Sequence, residues 1–385
     1  MSGAATLIKH DLKITPWQVA ALVATASGFN PFTSYVSNQI GRRHTMILAS
    51  AFFLVGQLLM GLAPYYSTLL SGRLIASFGV SFTFMIVPIY AAEISPASSR
   101  GFLASFPEFF INVGVTLGYA SNMVFSKLPL HLGWRLMLGV GAIPSVFLAV
   151  GFLFLPESPY WLVMKNRDDE ARQVLRNISA SEAEAASRLV DLQAAAGNGP
   201  RNDVVQVPTS GCCNLLKEFI PRPTRSVCHI FIAAVGLNFF QQATGIDAVV
   251  LYAPRILKKA GIKKGLRKPI ITLVVGVVKT VFSVFPAFGL DRIGRRSFLL
   301  ASIGGMFVSL VSLGLGLTML DRTADRPVWA QVLCMITLAV YVASYSIGMG
   351  PITWLYTTEI VLYSLHVQGA GMGMLVNRVT SGSSY

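Results

Sequence analysis

The chain has 385 residues, of which 53% are hydrophobic and 12% are charged, and its formal net charge is +14. A soluble domain carries about 25% charged residues, so this composition excludes an ordinary water-exposed globular protein. The basic residues are scattered between apolar runs and do not cluster on one face. This argues against a nucleic-acid-binding protein and favours the loop charges of a membrane protein.

The apolar runs have the length of bilayer-spanning helices, which need roughly 20 residues. They predict nine complete spans and a tenth that begins near residue 367 and runs to Tyr385. In chain order the complete spans lie near residues 17–37, 45–64, 67–91, 102–125, 133–155, 227–251, 270–290, 297–319 and 328–358. The predicted fold class is therefore an all-α membrane protein with nine full transmembrane helices and part of a tenth.

One long polar segment, residues 156–226, separates five of these spans from the others. It contains nine Lys or Arg residues and nine Asp or Glu residues. Two stretches in it, Asp168–Leu175 and Ser181–Ala196, have the pattern of amphipathic helices, the second with a typical N-terminal capping sequence. The chain is therefore predicted to consist of an N-terminal helical bundle (1–155), a polar loop (156–226) and a C-terminal helical bundle (227–385), and charge alone does not decide on which side of the membrane the loop lies.

The two halves repeat short features in matching positions. Ile-Gly-Arg-Arg occurs at 40–43 and again at 293–296, each time between two predicted spans. Glu93 is followed seven residues later by Arg100, and Glu359 is followed seven residues later by His366. This indicates an internal duplication. Transporters are often built from two such halves, with the substrate bound between them near the bilayer midplane.

Four ionisable residues fall well inside the predicted spans: Arg73, Glu108, Asp247 and Lys279. Each costs about 2.5–3.5 kcal/mol at a helix centre, so such residues face protein or a water-filled cavity. They either pair to hold helices together or line a transport pathway. Asp247 and Lys279 lie on neighbouring spans, and we expect them to compensate one another because an isolated buried charge is unfavourable.

The span that holds Asp247 is the richest in polar side chains. Asn238, Gln241, Gln242 and Gly245 follow at helical spacing and so share one face. Gly245 can break this helix, and transporters commonly build midplane sites from discontinuous helices. Amides and carboxylates in a dry cavity suit a ligand covered in hydroxyl groups, because they donate to and accept from several O–H groups.

Six runs of the sequence carry a resemblance to a known family. They are SPASSRG at 95–101, LPLHLGWRLMLGV at 128–140, PESP at 156–159, FFQQATGIDAVVLY at 239–252, DRIGRR at 291–296 and GMGPITW at 348–354. Together they resemble the sugar porter family of the major facilitator superfamily, and they are most similar to plant polyol and monosaccharide proton symporters. The resemblance implies the two-bundle architecture of that superfamily and symport of a polyol or monosaccharide with protons.

The resemblance also implies roles for particular residues. The positions that would contact the substrate are Glu108, Gln241, Gln242, Asp247, Lys279, Trp354 and Asn377. Three of these positions, Glu108, Asp247 and Lys279, carry a charge where many sugar porters have an amide, and this resembles the polyol branch. Trp354 by itself is more typical of helix packing. The implied cytoplasmic gate consists of Arg42, Arg43, Glu93, Arg100, Glu157, Asp291, Arg295, Arg296 and Glu359.

The implied partners are a polyol or monosaccharide, protons and the lipid bilayer, with no nucleic acid, metal or cofactor. The protein is expected to be an integral multi-pass protein, in the plasma membrane rather than the vacuolar membrane. An enzyme is not expected, because the sequence has no nucleophile–base pair, metal cluster or phosphate-binding glycine loop.

The family pattern places a first span before Met1, with an Asp that takes up a proton and pairs with Arg73, and further spans after Tyr385. We therefore expect Arg73 to lack its usual partner and coupled transport by the chain as written to be impaired. The alternative is a membrane protein that does not transport, either as a decayed product or as an interactor of full-length relatives.

Overall fold

The structure is a computed structural model. It describes residues 30–96, 100–125, 128–179, 181–195, 225–246, 268–322 and 328–360, together with residues 8, 11, 18, 249, 373, 376, 377 and 380. Within these residues the only regular secondary structure is helical.

The helices follow one another closely along the chain. In order they are α1 (Asn30–Ile40), α2 (Arg42–Gly61), α3 (Tyr66–Ile94), α4 (Arg100–Phe125), α5 (Leu130–Gly139), α6 (Ala142–Phe154), α7 (Pro159–Met164), α8 (Asp168–Ile178), α9 (Glu182–Ala195), α10 (Arg225–Ala243), α11 (Lys268–Phe282), α12 (Phe285–Ile293), α13 (Arg295–Arg322), α14 (Val328–Ile347) and α15 (Met349–Ile360).

Six segments of the described chain are long and apolar enough to cross a membrane. They are Arg42–Gly61, Tyr66–Ile94, His131–Phe154, Thr272–Leu290, Arg295–Leu320 and Val328–Thr357. Each corresponds to one of the spans predicted from the sequence, which confirms an all-helical, multi-pass membrane protein. Three of them contain a break, between α5 and α6, between α11 and α12, and between α14 and α15.

The remaining predicted spans are described only in part. The span predicted near 102–125 is one continuous helix of 26 residues, α4. The span near 227–251 is helical as far as Ala243. Most of the span near 17–37, and most residues after 360, lie outside the described residues. The count of nine full helices and part of a tenth stays a prediction.

Close backbone contact joins α2 to α3. A Cβ atom on Gly56 would lie 2.5 Å from the backbone nitrogen of Ala76, and one on Gly79 would lie 2.6 Å from the carbonyl oxygen of Ala49. Lipid offers helices little hydrophobic reason to associate, so small residues that allow close van der Waals packing supply much of the attraction. The glycines therefore set the spacing of these two helices.

The polar loop contains the two helices that its sequence pattern predicts. They are α8 and α9, and the Ser181 hydroxyl accepts a hydrogen bond from the backbone N–H of Glu184 at 3.2 Å, as its capping sequence indicates. The apolar faces of α7, α8 and α9 pack together around Leu162, Leu175 and Leu189. This small cluster lies against the end of α3, because an Arg188 guanidinium nitrogen donates to the carbonyl of Ser95 at 3.1 Å.

Helices that precede the loop contact helices that follow it. The hydroxyl oxygens of Thr116 on α4 and Thr280 on α11 lie 2.9 Å apart. Further along α4, the ring centroids of Phe102 and Phe288 lie 5.6 Å apart. The long helix α4 therefore packs along both α11 and α12.

We predict that Gly56→Ala destabilises the protein by about 1–3 kcal/mol, because the added methyl group meets a backbone atom that cannot move without separating α2 from α3. The measurement is the midpoint of thermal unfolding of the purified protein in detergent. The matched control is Gly118→Ala on α4, where a Cβ atom has no neighbour within 4 Å. Because Ala favours a helix more than Gly does, this control should leave the midpoint equal or raise it. Equal loss in both variants would contradict the packing argument.

Candidate functional site

The amide side chains of α10 lie on its buried face. Asn238 and Gln241 are each 1% exposed, whereas Phe240, between them, is 64% exposed. The helix ends at Ala243, and Gly245 has a φ of +74°, a conformation that favours glycine. The predicted shared face and the predicted helix break are both present. Asp247 lies outside the described residues.

Three amides form one hydrogen-bonded network, which we call the amide network: Gln241, Gln242 and Asn377. The Asn377 Nδ2 atom donates to Gln241 Oε1 at 2.7 Å, and Gln242 Nε2 donates to Asn377 Oδ1 at 3.0 Å. Gln241 Nε2 also donates to the carbonyls of Met349 at 3.1 Å and Gly350 at 3.3 Å. The network therefore links α10 to the break between α14 and α15.

Glu108 reaches the same place from α4. Its side chain is buried and accepts a hydrogen bond from Asn112 Nδ2 at 3.4 Å. A Cβ atom on Gly350 would lie 3.3 Å from Glu108 Oε1. Since the Gly350 carbonyl also accepts from Gln241, this glycine is where a carboxylate from before the loop meets the amide network from after it.

Lys279 lies over an aromatic ring. Its Nζ atom on α11 is 5.6 Å from the ring centroid of Tyr345 on α14. Sequence reasoning missed Tyr345, as it missed Tyr341, whose hydroxyl donates to the carbonyl of Thr244 at 2.7 Å. The two tyrosines are four residues apart in an apolar span, and this spacing places them on one face of a helix. Aromatic pairs that only pack in a core have the same spacing, so it does not identify a functional residue. The predicted pairing of Lys279 with Asp247 stays a prediction.

Trp354 packs between helices. Its side chain lies against the buried Met85 and Ile89 of α3, and its ring centroid is 6.2 Å from that of Phe84. The packing interpretation of this residue therefore has direct support. The tryptophan is partly buried, and its contact with a substrate stays a prediction.

Part of the predicted gate forms a dense cluster where α1, α2, α3 and α7 converge, which we call the arginine–glutamate cluster. The buried guanidinium of Arg42 pairs with Glu93 at 3.2 Å and donates to Asn38 Oδ1 at 3.2 Å. The Glu93 carboxylate also accepts from the hydroxyl of Ser158. Buried ion pairs of this kind depend on such additional hydrogen bonds to offset their desolvation.

Glu157 caps the N-terminus of α2, although the two are far apart in sequence. Its Oε1 atom accepts from the backbone N–H groups of Arg42 at 2.8 Å, Arg43 at 3.1 Å and Ser158 at 3.0 Å. The first N–H groups of a helix have no partner within the helix, and a negative charge there is favourable. Gly41 makes room for this carboxylate, because a Cβ atom there would lie 2.5 Å from Glu157 Oε2.

The other predicted gate residues are less completely described. Arg295 and Arg296 are exposed at the start of α13. The side chains of Arg100, Asp291 and Glu359 lie outside the described part of the chain.

The expectation that Arg73 lacks the Asp that usually pairs with it stays a prediction. Arg73 is partly buried on α3 and takes part in an interaction. A guanidinium placed inside a helix bundle without any compensation would be very unfavourable, so the fold supplies an interaction.

Among the described residues, no group of three or more His, Cys, Asp or Glu side chains could hold a metal ion. The described residues of the site offer hydrogen bonding, charge and an aromatic face.

Several known proteins are similar to this chain in sequence. A family model described as "Sugar (and other) transporter" matches residues 16–381. Polyol transporter 5 of Arabidopsis thaliana is 52% identical over 99% of this chain and 72% of its own length. Putative polyol transporter 1 of the same plant is 49% identical over 99% of this chain and 76% of its own length. D-xylose-proton symporter-like 2, also from that plant, is 31% identical over 89% of this chain and 66% of its own length.

The fold is similar to that of solved transporters. The major facilitator superfamily proton:xylose symporter XylE, bound to 6-bromo-6-deoxy-D-glucose, superposes with a TM-score of 0.81 at 22% identity, over 99% of this chain and 82% of that one. The human organic anion transporter MFSD10 superposes with a TM-score of 0.57 at 14% identity, over 100% of this chain and 82% of that one.

We predict that Glu157→Ala lowers the free energy of unfolding by about 1–3 kcal/mol, because three partly buried backbone N–H groups lose their acceptor. Glu157→Gln should lose less, since its amide oxygen can still accept. The matched control is Glu182→Ala, which removes an ion pair with Arg176 whose side chains are 56% and 80% exposed. Such pairs contribute about 0–1 kcal/mol. Thermal unfolding in detergent measures the stability of all three variants. An equal loss of stability in Glu157→Ala and Glu182→Ala would refute the capping role.

Proposed function

The chain belongs to the family of sugar (and other) transporters, and from that premise we propose that it carries a polyol or a monosaccharide across a membrane together with protons. It is an integral, multi-pass membrane protein and not an enzyme. The observation that carries the proposal is the meeting of Glu108 with the amide network at Gly350.

The chemistry of this meeting point suits a hydroxylated ligand. Each amide of the network offers both donors and an acceptor, and the carboxylate offers acceptors only. A substrate hydroxyl can replace one amide–amide hydrogen bond with two of its own, one donated and one accepted. Since buried polar groups must stay hydrogen-bonded, the exchange is favourable only for a ligand whose hydroxyl groups match the network.

The relatives support a carbohydrate substrate. Two that are 52% and 49% identical are named as a polyol transporter and a putative polyol transporter. We propose that the substrate contacts are made by residues that come from both sides of the loop. They are Glu108, Gln241, Gln242, Asp247, Lys279, Trp354 and Asn377.

Proton coupling is part of the proposal. A relative that is 31% identical is named as a proton symporter-like protein. Glu108 is a buried carboxylate beside the amide network, so proton uptake there would change an acceptor of the site into a donor. We propose that Glu108 and Arg73 take part in this coupling.

The gate and the architecture complete the proposal. We propose that the arginine–glutamate cluster closes the cytoplasmic end of the pathway, together with Arg100, Asp291, Arg295, Arg296 and Glu359. We also propose the two-bundle division at the loop of residues 156–226, the nine full helices with part of a tenth, and a location in the plasma membrane. The described residues offer no observation that favours impaired coupled transport or a membrane protein without transport activity.

We predict that the chain binds and takes up hydroxylated carbohydrates. The uptake of labelled sorbitol, myo-inositol, xylose and glucose is measured in yeast that lacks its own carriers, at external pH about 5 and about 7. Uptake should be greater at the lower pH and should fall when a protonophore is added. In parallel, the same compounds should raise the thermal unfolding midpoint of the purified protein, a readout that needs binding but no transport.

Binding in the unfolding assay without uptake would support the site and reject transport by this chain. Uptake that is equal at both pH values and insensitive to the protonophore would reject symport alone. The absence of any response to all four compounds in both assays would reject the proposed function.

We predict that Gln241→Ala weakens binding of the preferred carbohydrate about tenfold, because it removes a donor and an acceptor at the centre of the network and each hydrogen bond contributes about 0.5–1.5 kcal/mol. The matched control is Gln39→Ala on α1, whose side chain is exposed and whose loss should leave affinity unchanged. Ligand-induced stabilisation measured over a concentration series gives both affinities, and equal values would count against the network as the binding site.

A further inference from the structure

We propose that Tyr345 is a positioning residue that holds the ammonium group of Lys279 at the substrate site, and that this placement sets which hydroxylated substrates the site prefers. The inference rests on the proposed function, since it concerns how the same site selects its substrate. No motif in the sequence points to Tyr345, and the geometry alone suggests its role.

The contact lies within the range of a cation–π interaction. Lys279 Nζ is 5.6 Å from the centroid of the Tyr345 ring, and such interactions act within about 6 Å of a ring centroid. The ring itself is fixed, because Tyr345 is only 4% exposed and belongs to a core cluster with Tyr341, Val275 and Met349. A rigid ring can therefore hold the end of a flexible side chain.

An aromatic partner leaves the ammonium group chemically available. A lysine ammonium has three N–H donors and no acceptor. A carboxylate partner would consume one or more of these donors and neutralise the charge. The face of a ring attracts the charge through its quadrupole, so contact with Tyr345 does not take up the N–H donors that point away from the ring. Lys279 is thus held in place and can still donate.

The Tyr345 ring also lies beside Gly350, where Glu108 meets the amide network. A Cβ atom on Gly350 would lie 3.6 Å from Tyr345 Cε1 and 3.3 Å from Glu108 Oε1. The same glycine accepts a hydrogen bond from Gln241 at 3.3 Å. The ring that holds this donor-only group therefore also lies beside a carboxylate, which only accepts when ionised, and beside amides that do both.

This combination favours a particular class of ligand. A substrate must turn an oxygen lone pair toward Lys279 and an O–H bond toward Glu108. An acyclic polyol can rotate each carbon–carbon bond to orient neighbouring hydroxyls independently, whereas a pyranose ring holds its hydroxyls in fixed directions. A site with fixed polar groups rejects ligands that leave those groups unpaired. A fixed ammonium should therefore favour acyclic polyols, and a mobile one should discriminate less.

The test compares sorbitol with glucose in four variants: Tyr345→Phe, Tyr345→Leu, Lys279→Met and the double variant Tyr345→Leu/Lys279→Met. Affinities come from ligand-induced stabilisation of the purified protein, and KM and the maximal rate come from uptake in yeast. Tyr345→Phe keeps the ring and should keep the sorbitol-to-glucose affinity ratio within about twofold. Tyr345→Leu and Lys279→Met should each reduce that ratio about five- to tenfold, which corresponds to loss of one such contact.

The double variant separates positioning from simple packing. If Tyr345 acts through Lys279, the affinity ratio of the double variant should equal that of Lys279→Met alone. A merely structural tyrosine would lower the unfolding midpoint and the maximal rate for both substrates and leave the ratio unchanged, and that result would overturn the proposal. The same holds if Tyr345→Phe behaves like Tyr345→Leu.

A third single substitution at this position, Tyr345→Met, guards against a folding failure of Tyr345→Leu. Met fills much of the ring volume flexibly but has no aromatic face, so it should reproduce the change in ratio. If the unmodified chain binds neither substrate, the proposed function fails and this inference fails with it. If it binds them and both Tyr345→Leu and Tyr345→Met keep the ratio, only this inference fails.

Discussion

Lipid offers no hydrogen-bond partner inside a bilayer, so a buried donor or acceptor in a membrane-spanning helix depends on partners within the protein or on water in a cavity. This requirement explains why Asn238, Gln241 and Gln242 lie on one face of α10 while Phe239 and Phe240 face outward. The inward amide of Gln241 donates to the backbone carbonyls of Met349 and Gly350 at the start of α15.

The same constraint organises the arginine–glutamate cluster. Arg42 is fully buried, and its charge is compensated by Glu93 while further donors of the residue reach Asn38 and Glu157. Because one carboxylate oxygen of Glu157 accepts three backbone N–H groups, the start of the loop is tied to the start of α2. A movement that opens this end of the protein must break several of these interactions together, which favours two distinct arrangements over a gradual change.

The arginine–glutamate cluster and the amide network each have a glycine next to a carboxylate. Gly41 admits the carboxylate of Glu157, and Gly350 admits that of Glu108. In each case the glycine accommodates a charged group that comes from another part of the chain. A Cβ atom would overlap the Glu157 carboxylate at Gly41, at 2.5 Å, and would crowd that of Glu108 at Gly350, at 3.3 Å. Gly350 has the wider consequence, because the amide network, the Tyr345 ring and Glu108 all lie next to it. The ligand site proposed for this transporter is therefore arranged around a backbone position without a side chain.

Properties that depend on neighbours along the chain could be predicted from the sequence. The apolar runs predicted six spans that the structure describes, the helical period predicted the inward face of α10, and Gly245 predicted where that helix ends. The capping pattern at Ser181 predicted the start of α9. Hydrophobic period, capping and backbone freedom are local, so each can be read without knowing the rest of the fold.

Partners that lie far apart in sequence were decided by the tertiary structure alone. Sequence reasoning named Gln241 and Asn377 separately, but only the packing of their segments brings them to 2.7 Å. It named Lys279 and missed the Tyr345 ring beneath it. It could not identify the interaction in which Arg73 takes part. The physical reason is that a buried polar side chain specifies only that it needs a partner, whereas the crossing of distant helices decides which partner comes within reach.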